Sequence, residues 1–314
     1  ETRDVHAEMT HLTLGIVAET LFGADVRAHA DRVARALSVL MASFTARRAS
    51  LVPVPIAVPT PGNLALRRAI RRLDALVYAM IHDRRAGGGG RDDLLTLLLE
   101  ARDEDDGRGM TDRQVRDELI TLFLAGHETT ANALSWTWYL LARHPAVASR
   151  LAVELRGVLG GRAPGAADLP RLSYADAVVR EAMRLYPPAH SLSRQPLRDT
   201  ELGGYRVPAG TMVFMSPWVI HRDPRFFADP EAFDPDRWTD GLARRLPRFA
   251  YFPFGGGPRL CIGNAFATME AVLLLATIGA RFQPRLAPGE QVVADASVTL
   301  RPRGGIRMIL SPVC

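Results

Sequence analysis

Three hundred and fourteen residues, 47% hydrophobic and 23% charged, exclude a disordered, collagen-like or disulfide-scaffolded chain. The 39 basic side chains are all arginine, but they are interspersed with 34 acidic ones for a net charge of +5; that reads as a compositional bias and excludes a charge-driven nucleic-acid surface. No apolar run approaches the roughly 18 residues that cross a bilayer, and two cysteines, Cys261 and Cys314, are too few for a secreted framework, so a reducing, cytoplasmic compartment is expected.

Apolar residues recur at helical spacing from about Asp4 to Phe22, with Gly23 as a stop, and again from about Asp31 to Arg47. Pro53, Pro55, Pro59 and Pro61 then mark a connector. An amphipathic helix is predicted from about Asn63 to Arg85, closed by Gly87 to Gly90. A shorter one follows from Asp92 to Glu104, with a polar turn at Asp105 to Gly109. Thr111 and Gln114 have the spacing of a capping box and open the longest helix, which runs to about Arg143 before His144-Pro145 stops it. At 1.5 Å per residue this helix spans about 50 Å. Its middle is apolar on nearly all sides, which predicts a buried central helix interrupted by AGHETT at 125–130.

Further helices are predicted from about Ala146 to Leu159 and from Tyr174 to Leu185, the second closed by Pro187-Pro188. From 190 to 220, short β-branched and aromatic runs lie between turns at Gly203-Gly204 and Pro208-Ala209-Gly210, which predicts small antiparallel sheet. Residues 222–258 read as a long ordered coil. One last helix, about Asn264 to Ala280, precedes strand-like tails at 291–298 and 305–311. The fold class is therefore mainly α with small antiparallel β-sheets, an α+β chain.

Cys261 stands in FGGGPRLCIG, residues 254–263, directly ahead of a helix. A sulfur there faces backbone N–H groups and a positive helix end, both of which favour thiolate over thiol. Arg259 adds a positive charge and a bidentate donor. Three successive glycines imply that the backbone comes close to something flat or bulky. The loop lacks the GK[ST] ending of a phosphate loop, so that reading is set aside. Phe254, Gly257, Arg259, Cys261 and Gly263 fall without a gap in the pattern F-x-x-G-x-R-x-C-x-G, and on these residues the chain resembles the haem-ligand loop of the cytochrome P450 family. The resemblance implies that Cys261 is the proximal iron ligand of haem b, that Arg259 partners a haem propionate, that Phe254 shields the sulfur, and that Gly263 belongs to the same cofactor-binding loop.

Three further segments agree with the resemblance, in the family's order. Glu181 and Arg184 sit at i and i+3 on one helix face. By the resemblance they are joined by Arg237 of DPDRW in a buried charge triad beneath the haem, structural rather than catalytic. Trp238 stands where the family more often has Phe. AGHETT resembles the family's oxygen-activation segment: Gly126 leaves room over the porphyrin, while Glu128 and Thr129 are the catalytic acid and alcohol that deliver protons. A threonine that bonds back to its own helix is the competing reading, less favoured beside Glu128. His127-Glu128 does not complete the zinc motif H-E-x-x-H, because position 131 is Ala131; His127 is then a packed or solvent-channel residue. Arg194, five residues before Asp199, resembles the family's propionate-binding strand and gives a second haem anchor. HRDP at 221–224 is read as structural, and Leu192, Ser191 and Phe123 as pocket lining or core alike.

The function so implied is a haem-thiolate monooxygenase that inserts one atom of dioxygen into an apolar small molecule, fatty-acid-like or terpenoid-like by analogy. Electrons from NAD(P)H are expected through a separate ferredoxin or flavin reductase, since no flavin or iron–sulfur segment is present. Arginines around Cys261 are expected to offer an acidic partner a docking face. A haem-thiolate peroxygenase or isomerase, and a non-catalytic remnant that binds haem weakly, are the competing readings. Because the family fold is longer, the resemblance implies one domain, 1–314, incomplete at its N-terminus. The missing parts are the first sheet, the substrate-roof loop and the helix that holds the other propionate, which leaves membrane contact undetermined.

Overall fold

A computed structural model describes residues 1–23, 30–50, 54–87 and 93–313. Pro53, Gly88 to Gly90, Asp92 and Cys314, all named above, lie outside the described residues. The chain forms two compact units, Ala7–Ala131 and Glu1–His6 with Asn132–Cys314.

The first unit is helical. It holds most of α1 (Val5–Phe22), α2 (Ala30–Ala49), α3 (Pro61–Ala86), α4 (Leu94–Glu100) and the first part of α5 (Asp112–Arg143). Helix α3 begins two residues earlier than predicted because Thr60 caps it: the Asn63 N–H donates to Thr60 Oγ1 at 3.1 Å, and Pro61 occupies a first-turn position whose N–H has no helical partner anyway. Helix α4 is capped by Asp93 and stops at Glu100, four residues short of the predicted Glu104. Past it, Asp103 Oδ1 accepts the N–H groups of Asp105 and Asp106, a side-chain turn that competes with helix. The capping box forms as expected: the Thr111 N–H donates to Gln114 Oε1 at 2.9 Å, and the Gln114 N–H donates to Thr111 Oγ1 at 3.3 Å. Leu14, Val17, Leu37, Leu73, Ile81 and Leu119 lead the core of this unit, and Phe123 belongs to it.

The second unit combines helices with short antiparallel ladders. The remainder of α5 continues into α6 (Pro145–Leu159), which ends on Gly160 in the left-handed conformation. Helix α7 (Ser173–Leu185) is buried at most of its positions. Strand β1 (Thr2–Asp4), not predicted, joins a three-stranded sheet with β6 (Phe282–Leu286) and β9 (Arg307–Pro312) in the order β1-β9-β6. The predicted sheet at 190–220 is two ladders. One pairs β2 (Leu192–Arg194) with β5 (Val213–Met215), and the other pairs β3 (Thr200–Leu202) with β4 (Tyr205–Val207). A further ladder pairs β7 (Ala294–Ala296) with β8 (Leu300–Pro302). The end of the segment read as sheet forms the single turn α8 (Pro217–Ile220), and the segment read as coil carries the turns α9 (Asp236–Thr239) and α10 (Leu242–Arg245). Helix α11 (Asn264–Gly279) packs on α7 and follows the cysteine loop. This architecture is α+β, as expected.

Candidate functional site

The cysteine loop runs off α10 toward α11. Gly255 and Gly257 take φ of +74° and +68°, a region costly for any residue with a Cβ. Gly256 is extended, and its missing Cβ is where the Phe249 ring packs. The bulk implied by the glycine run is therefore supplied in part by the chain's own Phe249, itself held at a φ of +66°. Gly255 also brings the loop against Leu192, since a Cβ there would meet Leu192 Cδ1 at 3.5 Å. The loop closes through the Cys261 N–H, which donates to the Phe254 carbonyl at 3.0 Å. Gly263 is the N-cap residue of α11. Cys261 carries a free, exposed thiol between Leu260 and Ile262, which are 48% and 92% exposed.

Arg259 and Arg194 are both exposed, and neither pairs with a carboxylate among the described residues. Arg194 Nη1 donates only to the Ser193 carbonyl, at 2.8 Å. Asp199, grouped with Arg194 on spacing, instead accepts from Arg206 at 2.7 Å and from the Ala209 N–H at 2.9 Å, which holds its carboxyl below the usual range. A free thiol, flanking apolar side chains open to solvent and two unpaired guanidinium groups make a donor set that fits haem. Iron would take the sulfur, the flat macrocycle would cover apolar surface, and a carboxylate of the group would take arginine. Beside the loop lies a cleft of about 730 Å³, lined among others by Asp176, Arg180, Tyr251, Phe254, Leu260 and Thr268.

Beneath the loop, Glu181 and Arg184 are fully buried. Arg184 donates to both carboxylate oxygens, Nε to Oε2 at 2.9 Å and Nη2 to Oε1 at 2.8 Å. Arg237 Nε donates to Oε1 at 2.9 Å. The expected triad is thus brought together. Trp238 adds what no spacing revealed, an indole Nε1–H donated to Glu181 Oε2 at 2.8 Å. The remaining Arg184 donors reach the carbonyls of His221, Pro230 and Ala232. Tyr251 is half-buried there, and desolvation of its hydroxyl pushes its pKa up; it stays protonated and donates to the Arg180 carbonyl at 3.0 Å.

In the other unit, residues 125–130 form unbroken helix within α5. Gly126 has a packing reason of its own: a Cβ there would lie 3.1 Å from Val17 Cγ2 of α1, so the glycine admits the neighbouring helix. Thr129 Oγ1 donates to the Ala125 carbonyl at 2.7 Å, the back-bond considered as the competing reading. Glu128 and Thr129 are half-buried. His127 is buried, with Nδ1 at 2.6 Å from the Phe123 carbonyl, and burial pushes its pKa down against that carbonyl and the Glu128 charge. It belongs to no metal-binding cluster among the described residues. Phe123 lies in the core of the unit, Ser191 is exposed and Leu192 packs on the loop.

The family model described as Cytochrome P450 matches residues 1–306. The chain is 42% identical over 313 residues to cyclooctatin synthase of Streptomyces melanosporofaciens, an alignment covering 98% of this chain and 68% of that protein. It is 39% identical to cyclooctat-9-en-7-ol 5-monooxygenase of the same organism, covering 92% and 63%. With pentalenene oxygenase of Streptomyces avermitilis it is 38% identical, covering 95% and 66%. Its fold matches the crystal structure of the cytochrome P450DA haem domain with a TM-score of 0.90 at 30% identity, covering all of this chain and 69% of that one. The chain spans about two thirds of the length of the relatives it matches.

Proposed function

Because the chain belongs to the cytochrome P450 family, we propose that it is a haem-thiolate monooxygenase acting on apolar, terpenoid-like molecules. The observation that carries this reading is the free thiol of Cys261 in a loop that matches the family's ligand pattern at every defining residue. Haem, when bound, supplies the activation of dioxygen with electrons passed from NAD(P)H by a separate ferredoxin or flavin reductase.

Cys261 would hold the iron through Sγ. The loop hydrogen bond from its N–H to the Phe254 carbonyl and the start of α11 soon after it keep the sulfur in place. Arg194 and Arg259 would anchor the propionate side of the group, and Phe254 would screen the sulfur side. The Glu181–Arg184–Arg237 cluster supports the loop from below. Thr129 Oγ1 donates its hydrogen bond to the Ala125 carbonyl, which leaves its lone pairs open to accept from another donor; Glu128, one residue earlier, is the carboxyl that would supply protons beside it. Arg248 and Arg259, exposed on the same loop region, offer an acidic electron donor a positive contact.

A family model running from 1 to 306 supports treating both units as one domain, 1–314. Among the described residues no helix is long and apolar enough to cross a membrane, and a free thiol suits the cytoplasm. The names of the relatives, cyclooctat-9-en-7-ol 5-monooxygenase and pentalenene oxygenase, favour the terpenoid class over fatty acids.

The test supplies the haem-loaded protein with a ferredoxin, its reductase, isotopically labelled dioxygen and pentalenene or a long-chain fatty acid. The expected product is pentalenene carrying one labelled oxygen atom. Label arriving from water, or product formed with peroxide but not with dioxygen and the electron donors, overturns the monooxygenase reading. Turnover of the fatty acid alone overturns the substrate class.

A further inference from the structure

We infer that His221 is a positioning residue: its ring Nε2, held on the Phe252 N–H, carries the placement of the buried Glu181–Arg184 cluster into the cysteine loop. His221 follows α8, and its side chain is fully buried. The Phe252 N–H donates to Nε2 at 2.9 Å, across 31 positions of sequence. An imidazole nitrogen that accepts a backbone N–H has no proton of its own, so the ring is the neutral tautomer with its proton on Nδ1. Nδ1 turns toward the Met183 and Arg184 carbonyls at the end of α7 without closing a hydrogen bond among the described residues.

Both ends of this link are fixed. On the cluster side, Arg184 Nη1 donates to the His221 carbonyl at 2.8 Å, and the His221 N–H donates to the Pro217 carbonyl at 2.8 Å. The ring lies against Tyr251 and Phe252, with centroids 5.0 and 5.3 Å away. Tyr251 is in turn tied to the Arg180 carbonyl, one turn before Arg184. On the loop side, the Phe252 carbonyl accepts the Gly255 N–H at 3.0 Å, and the Phe254 carbonyl accepts the Cys261 N–H at 3.0 Å. An unbroken route therefore runs from the Arg184 guanidinium to the residue that carries the thiol. Burial, with the charges of Arg184 and Arg222 adding to it, pushes the His221 pKa down to about 3. The acceptor therefore survives throughout the neutral range. The glycines of the loop give it freedom, and Phe252 is where that freedom begins.

The last step, from loop to iron, rests on Cys261 being the ligand as proposed above; the link to Phe252 does not. Nitrogen-15 NMR of the wild-type chain reads the tautomer, and a protonated Nε2 overturns the inference. His221→Phe keeps an aromatic ring but removes the acceptor. It is expected to speed amide exchange at Phe252 at least about tenfold. In the haem-loaded protein it should also move the reduced carbon monoxide Soret band away from the thiolate position, far below the variant's unfolding midpoint. His221→Gln, whose Oε1 offers an acceptor in its place, is expected to restore both. Wild-type exchange and an unmoved band in folded His221→Phe overturn the inference, as a merely structural histidine would lower the midpoint alone. Should His221→Phe not fold, the tautomer and the His221→Gln exchange rate decide: an unprotonated Nε2 with slow exchange supports the link, and fast exchange in His221→Gln overturns it. A Cys261→Ser protein that keeps the thiolate band sinks the ligand assignment instead, leaving the exchange result to stand on its own.

Discussion

At Glu181 two carboxylate oxygens collect donors from α7, from α9 and from the segment before α9: Arg184, Arg237, Trp238 and the Asp234 N–H. A buried charge is tolerated only when its lone pairs are filled in this way. Trp238→Phe keeps an aromatic ring beside Tyr251, now at a centroid distance of 4.5 Å, and deletes one donor to a charged acceptor. A bond of that kind contributes about 1.5–3 kcal/mol, so chemical denaturation is expected to show a loss of that size at constant slope. A change under about 0.5 kcal/mol would mean the indole N–H is not needed. The E-x-x-R spacing made the Glu181–Arg184 pair legible, because i and i+3 neighbours meet on any helix, and the family resemblance added Arg237. The indole donor and the His221–Phe252 bond were not legible, since 57 and 31 positions separate their partners and no local period records such a distance.

Helices show the same division. The Thr111–Gln114 box and the His144-Pro145 stop are local chemistry, and the corresponding ends of α5 and α6 came out within a residue or two. Helix α4 ended early because Asp103 captures backbone N–H groups that a helix would use. Strand β6 escaped notice because it contains Pro284, which argues against a central strand. It lies at the edge of its sheet, where a missing N–H does no harm. Within α5, Gly126 turned out to serve the approach of Val17, a contact invisible in the AGHETT string itself. Thr129 makes an ordinary back-bond at rest, so Thr129→Ala is expected to leave the unfolding midpoint within about 0.5 kcal/mol of wild type. If the hydroxyl also relays protons, the same variant diverts electrons several-fold toward hydrogen peroxide, measured as peroxide released per NAD(P)H consumed. Unchanged coupling would leave Thr129 with its back-bond alone.

For the whole molecule, the opening charge balance keeps its plain explanation in most places: arginines such as Arg206 and Arg225 form exposed pairs with Asp199 and Asp223, worth little to stability. Arg184 and Arg237 are the exceptions by burial, and Arg194 and Arg259 by being left without a carboxylate. A family model spanning residues 1–306 and a TM-score of 0.90 to a haem domain accord with the α+β fold read from the elements. The most direct test of the central proposal is the carbon monoxide difference spectrum of the reduced, haem-loaded chain. Wild type is expected to show the red-shifted Soret band of thiolate ligation, and Cys261→Ser to lose it while remaining folded. An identical band in Cys261→Ser, or a wild-type band at the position of nitrogen-ligated haem, would contradict Cys261 as the ligand.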